Sequence, residues 1–254
     1  MRSRAGDPPI TLSEHGGIRS LHFGSPWVQG AMRIRAPEAL VFEYTRRMFA
    51  WLLLRDEPAD LAQFGLGAGS LTRWALAKLP GARVTAVESA ASVIACAHAQ
   101  FALPMHEPRL AVVHDDAHRF ARRASNRTAF DVLQVDVYDR DARGPALDSP
   151  AFYASCRAVL RPPGVAVFNL FNEPESFAPN RARIRGAFDG RVLEMPPVPA
   201  GNVIVLALAG PPLEVAADAV VQRGRSVRER YGLPADQWAR LLLDRHASGG
   251  RLSV

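Results

Sequence analysis

The sequence predicts a doubly wound, mostly parallel α/β sheet of seven strands that ends in an antiparallel hairpin, preceded by a small antiparallel β-unit. Three observations carry this expectation. Strand-sized apolar runs alternate with helix-sized segments between residues 60 and 208. A glycine-rich turn, Gly65-Leu66-Gly67-Ala68-Gly69, joins the first such strand to the first such helix. The last two strand-like runs, 190–194 and 202–208, are joined by Pro196-Pro197-Val198-Pro199-Ala200-Gly201, which is too short for a helical crossover.

Each element follows in order. Short runs at 10–12, 18–23 and 27–32, broken by Gly16-Gly17 and Gly24-Ser25-Pro26, predict a small antiparallel sheet within residues 1–36. Leu40, Val41, Tyr44, Met48, Trp51 and Leu52 recur at helical spacing, so a helix is expected over 37–54. Strands are expected at 61–64, 83–87, 110–113, 132–135 and 165–170, before the 190–194 and 203–208 pair. Helices are expected between them at 71–79, 91–101, 117–123, 150–160 and 176–188. A parallel sheet closed by an antiparallel hairpin points to the methyltransferase-like variant of the Rossmann fold, here spanning 37–212. After Pro211-Pro212 a helical tail, 213–254, carries two helices near 215–221 and 235–244 and a polar end.

Composition excludes several classes. Of 254 residues, 48% are hydrophobic and 22% charged, a globular profile. No apolar run approaches the ~20 residues that span a bilayer, and residues 1–7 lack the apolar core of a signal peptide. Cys96 and Cys156 are too few for a disulfide framework or a thiolate cluster, so buried thiols in a cytoplasmic protein are expected. The net charge of +6 raises nucleic-acid binding. However, Lys78 is the single lysine, and the arginines form no long run and no interleaved aromatic pattern. A solvated arginine surface is the reading, with neither nucleic acid nor membrane as partner.

The glycine turn lets the backbone approach a ligand at the start of a helix. Its spacing is not the dinucleotide fingerprint, because Ser70 holds the sixth position, which tells against NAD. Glu88, 21 residues after Gly67 at the end of the second strand, is placed to accept from ribose hydroxyls. Asp116 and Ala117, after the third strand, put a carboxylate within reach of an adenine amino group. Gly65, Gly67, Gly69, Glu88, Asp116 and Ala117 therefore form an adenosine-binding set. Asp136 and Asp139, at the end of the fourth strand, point to the same crevice and suit a cationic substrate and a base. His114 and His118 lie four apart with Asp115 and Asp116 close by, but strand–turn geometry intervenes, and no metal is expected.

These residues, with Gly144-Pro145-Ala146 and the stretch Val165-Ala166-Val167-Phe168-Asn169-Leu170-Phe171-Asn172, resemble the spermidine synthase (polyamine aminopropyltransferase) family. Trp27-Val28-Gln29-Gly30 and Phe42-Glu43-Tyr44 resemble its N-terminal strand and helix. The resemblance covers roughly residues 10–209. It implies a homodimer without a tightly bound cofactor. Decarboxylated S-adenosylmethionine would be the donor and a polyamine the acceptor. It further implies that Gln29 contacts the nucleoside, that Asp136 is the general base, and that Asp139 and Tyr44 hold the amine. The chain departs from the family pattern at Ala68, where an acid usually stands, at Thr45-Arg46, at Ser89-Ala90, and at Val198 before Pro199-Ala200-Gly201. The Ala68 departure keeps a second expectation open, an S-adenosylmethionine-dependent methyltransferase acting on another small nucleophile. A degenerate nucleoside-binding protein is the third.

Overall fold

A computed structural model of the chain describes residues 7–138 and 147–254. Strands β1 (Thr11–His15), β2 (Ile18–His22) and β3 (Val28–Arg33) form the antiparallel N-terminal sheet in that order. Gly16 and Gly17 both take positive φ, as a two-residue turn between β1 and β2 requires.

The helix expected over 37–54 is not continuous. The chain forms only α1 (Glu43–Arg47) and a 3₁₀ turn at Ala50–Leu53. Met48, Phe49, Ala50, Trp51 and Leu52 are all fully buried, so this run is a plug with apolar atoms on every side rather than a helix with one apolar stripe. The Gln134 side chain donates to the Met48 carbonyl at 2.9 Å, occupying an acceptor that a continuing helix would use.

Beyond it follow β4 (Asp60–Phe64), α2 (Ser70–Lys78), β5 (Arg83–Glu88), α3 (Ala91–Gln100), β6 (Leu110–His114), α4 (Ala117–Ala121) and β7 (Phe130–Val135). The second half contains α5 (Pro150–Ala158), β8 (Leu160–Phe171), α6 (Pro174–Ala187), β9 (Val192–Glu194) and β10 (Asn202–Ala209). The seven strands order as β6-β5-β4-β7-β8-β10-β9, and β10 runs against both its neighbours, β8 and, as the short 196–201 connection predicts, β9. Alternate strand residues feed two cores. One face buries Leu61, Val132, Val167 and Leu206 against Trp51, Trp74 and Trp238. The other buries Phe64, Leu133, Phe168 and Val205 against α4, α5 and α6.

The tail is more than helical. Strand β11 (Glu214–Ala216) precedes α7 (Ala217–Tyr231) and α8 (Ala235–His246), and β12 (Ala247–Ser248) and β13 (Arg251–Ser253) close a small sheet with it. Strands of two or three residues are too short for alternation to register in a sequence. Among the described residues, no helix is long and apolar enough to cross a membrane.

Candidate active site

The carboxyl ends of β4, β5, β7 and β8 open into a cavity of about 870 Å³. The glycine turn after β4 forms one wall and β3 crosses over it. A β-carbon on Gly30 would lie 2.7 Å from that of Ala68, so only a glycine lets strand and turn lie this close. Gln29 then reaches the cavity from β3, beside Gly67.

On the turn side, the Glu88 carboxylate accepts the N–H of Leu66 and of Ala90, each at 3.0 Å, which fixes it at the cavity wall. Asp116 lines the same wall and caps α4 by accepting from the Arg119 N–H at 2.8 Å. Its neighbour Asp115 is buried and held by the Arg119 and Arg123 guanidinium groups. His114 meets the Ser89 carbonyl. Gly69 is absent from the cavity wall. It lies behind the turn against Arg73 and Leu103. Arg73 is buried there and donates to the carbonyls of Ala68, Phe101 and Pro37, bracing the turn from within. Burial lowers its pKa to about 10.

Asp136 occupies the far end. Its N–H continues the β7 ladder to the Phe64 carbonyl at 2.9 Å, and its half-buried carboxylate faces the cavity. Asn169 of β8 donates from Nδ2 to Asp136 Oδ1 at 2.8 Å. Tyr44 of α1 hydrogen-bonds the same carboxylate. Burial raises the Asp136 pKa above the ordinary carboxylate value, while the Asn169 and Tyr44 donors pull it back. Burial, and then the adjacent Asp136 charge, hold Tyr44 well above 10, so its hydroxyl stays a donor. Tyr138 donates to the Asn169 carbonyl at 2.8 Å and is shifted the same way, burial again being the largest cause. Val198, Pro199 and Ala200 close this end, with no hydroxyl or charge among their side chains.

Gln29, Tyr44, Gly65, Gly67, Glu88, Asp116, Ala117 and Asp136 thus surround one cavity. Asp139 and Gly144-Pro145-Ala146 lie outside the described residues. Sequence reasoning gave no role to Asn169, Asn202 or Tyr138. The signal was there in the asparagines, since a polar residue inside an apolar strand needs a partner.

No protein-family model matches the chain. It is 36% identical over 232 residues to the polyamine aminopropyltransferase of Neisseria meningitidis serogroup A / serotype 4A, covering 91% of this chain and 88% of that protein. A probable spermidine synthase from Corynebacterium glutamicum superposes with a TM-score of 0.68 at 19% identity, covering 94% of this chain and 93% of the other. Human methyltransferase-like protein 13, in complex with SAH, superposes with a TM-score of 0.67 at 22% identity, covering 76% and 93%.

Proposed function

The chain belongs to the polyamine aminopropyltransferase family, and from that premise we propose that its cavity holds decarboxylated S-adenosylmethionine against the glycine turn while Asp136 takes the proton of an attacking amine. The protein is a transferase that moves an aminopropyl group to a polyamine. The nucleoside sits with its ribose at Glu88 and its base near Asp116 and Ala117, with Gln29 across from them. The aminopropyl methylene bound to sulfur points to the Asp136 end.

An aliphatic amine has a pKa of roughly 10 and reaches the site protonated, with no lone pair to attack. Asp136 accepts one proton, and the nitrogen then displaces sulfur in line. The N–C bond forms as the C–S bond breaks, its electron pair stays on sulfur, and neutral methylthioadenosine leaves. Tyr44, protonated throughout, orients the carboxylate. Holding both reactants in one cavity removes most of the entropy of their encounter. We further propose that the protein works in the cytoplasm as a homodimer, with Cys96 and Cys156 as buried free thiols.

One observation carries the reading: Glu88 on the turn side and Asp136 under Tyr44 line the same cavity. The test is to incubate the protein with decarboxylated or ordinary S-adenosylmethionine and a panel of amines, and to identify products by mass spectrometry. Methylthioadenosine and an aminopropylated amine are expected from the decarboxylated donor only. S-adenosylhomocysteine and a methylated product would overturn the reading in favour of methyl transfer, the alternative that Ala68 keeps open.

A further inference from the structure

We propose that Asn169 and Asn202 form an amide relay that orients the Asp136 carboxylate and keeps it ionised, which makes both of them positioning residues. The inference rests on the reading of Asp136 as the base.

The geometry is a directed chain. Asn202 Nδ2 donates to Asn169 Oδ1 at 3.0 Å, and Asn169 Nδ2 donates to Asp136 Oδ1 at 2.8 Å. Its direction is dictated from the acidic end. An ionised carboxylate only accepts, so Asn169 must turn its NH₂ toward Asp136. Its oxygen is then left facing Asn202, which must answer with an NH₂ of its own. Neither amide is placed to satisfy itself with solvent, at 4% and 3% exposure. A reversed amide would set oxygen against oxygen at Asp136 and leave a buried group unpaired. The Asn169 backbone is pinned as well, because its carbonyl accepts the Tyr138 hydroxyl.

The antiparallel strand is what makes the relay possible. Because β10 runs opposite to β8, its first residue stands beside the end of β8, at the floor of the cavity. A parallel strand would begin at the opposite edge of the sheet. Asn202 is also the one polar residue of β10, the rest being Val203-Ile204-Val205-Leu206-Ala207-Leu208-Ala209. Packing alone gives no reason for an amide there.

The titratable groups facing Asp136 are Tyr44 from α1 and Tyr138 from the segment after β7, both protonated. Strands β8 and β10 bring neutral amides, and the turn after β4 brings backbone. Among the described residues, the other charged side chains on the cavity wall are Glu43, Glu88, Asp115 and Asp116, all acidic. With burial raising its proton affinity and no cation on the wall beside it among the described residues, Asp136 depends on neutral donors to stay ionised.

The test reads Asp136 directly. Its side-chain carboxyl ¹³C shift is titrated in the ligand-free protein and identified by its loss in Asp136→Asn. The pH profile of kcat/KM is recorded in parallel. Asn202→Leu and Asn169→Leu should each raise the midpoint, Asn169→Leu by about one pH unit, which is tenfold tighter proton binding. The acid limb of kcat/KM should move with it. Asn169→Leu/Asn202→Leu together should move it no further than Asn169→Leu alone, because Asn202 acts only through Asn169. Asn202→Ala serves if the leucine variant does not fold. Unchanged midpoints in folded single variants, or additive shifts, would overturn the relay. The titration needs no turnover, so shifted midpoints in a protein without aminopropyl transfer would sink the functional reading and leave the relay standing.

Discussion

Gly65 and Asp136 meet backbone to backbone: a β-carbon on residue 65, at φ +88°, would run into the Asp136 carbonyl. The glycine turn and the strand end that carries Asp136 are therefore built against each other. Neither can shift without the other.

Gly65→Ala should damage both halves of the site at once. The substitution forces a positive φ on alanine and a clash with backbone, which has no flexible end to move aside. Methylthioadenosine affinity and kcat should fall together, and thermal unfolding should shift down. Isothermal titration beside a melting curve checks this. Loss of kcat with unchanged nucleoside affinity would show that turn and strand end are independent.

A second expectation concerns acid stability. At the amino ends of the central strands, Asp131 accepts from the N–H groups of Ala59 and Asp60 at 2.8 and 3.0 Å and pairs with Arg55 and Arg161. Burial pushes its pKa up, but these partners outweigh burial and hold it below 3.8. The stabilisation is complete above the unfolded pKa of about 3.9. It is lost as pH falls through the lower folded value. Asp131→Asn should cost about 1–3 kcal/mol at pH 7, since Arg55 loses its carboxylate while Arg161, 45% exposed, keeps Asp60. It should also flatten the fall of melting temperature below about pH 4. Equal acid sensitivity in both proteins would rule Asp131 out as the source.

The third concerns the tail. Gly224, inside α7, faces α8 so closely that a β-carbon would lie 2.7 Å from the Ala235 carbonyl oxygen and 3.0 Å from the Ala239 β-carbon. Alanine gains about 1 kcal/mol of helix propensity, but forcing the helices apart costs about 1–3 kcal/mol. Gly224→Ala should therefore lower the melting temperature by a few degrees. Gly186 in α6 has no neighbour within 4 Å of such a carbon, so Gly186→Ala should stabilise. Differential scanning calorimetry separates the two, and the same sign for both would refute the packing account.

What the sequence made legible follows from how local each signal is. Alternating strands and helices, the glycine turn and the short 196–201 connection are contiguous features, and together they predict the sheet and the wall around Glu88. The run 48–53 misled because apolar residues at helical spacing look alike whether one face is buried or all of them are, as they are here. Asn169 and Asn202 stand 33 positions apart and acquire meaning only once β10 lies beside β8. Gly69 belongs to the motif by spacing, yet the turn points it away from the cavity toward Arg73.

The last prediction concerns Asp136→Asn. The substitution keeps size and planarity but removes the proposed base. Loss of a general base costs about 10²–10⁴ in rate. The proposed nucleoside contacts lie on the turn side, around Glu88 and Asp116, and do not involve this carboxylate. So kcat and kcat/KM should fall together while methylthioadenosine affinity barely changes, the pattern of an interaction made at the chemical step. Raising the pH should restore part of the rate in the variant, because more of the amine then arrives deprotonated as its pKa of roughly 10 is approached. A purely structural Asp136 predicts otherwise, with melting temperature and nucleoside affinity falling together and no rescue at high pH. Full activity in a well-folded variant would falsify the assignment of Asp136 as the base.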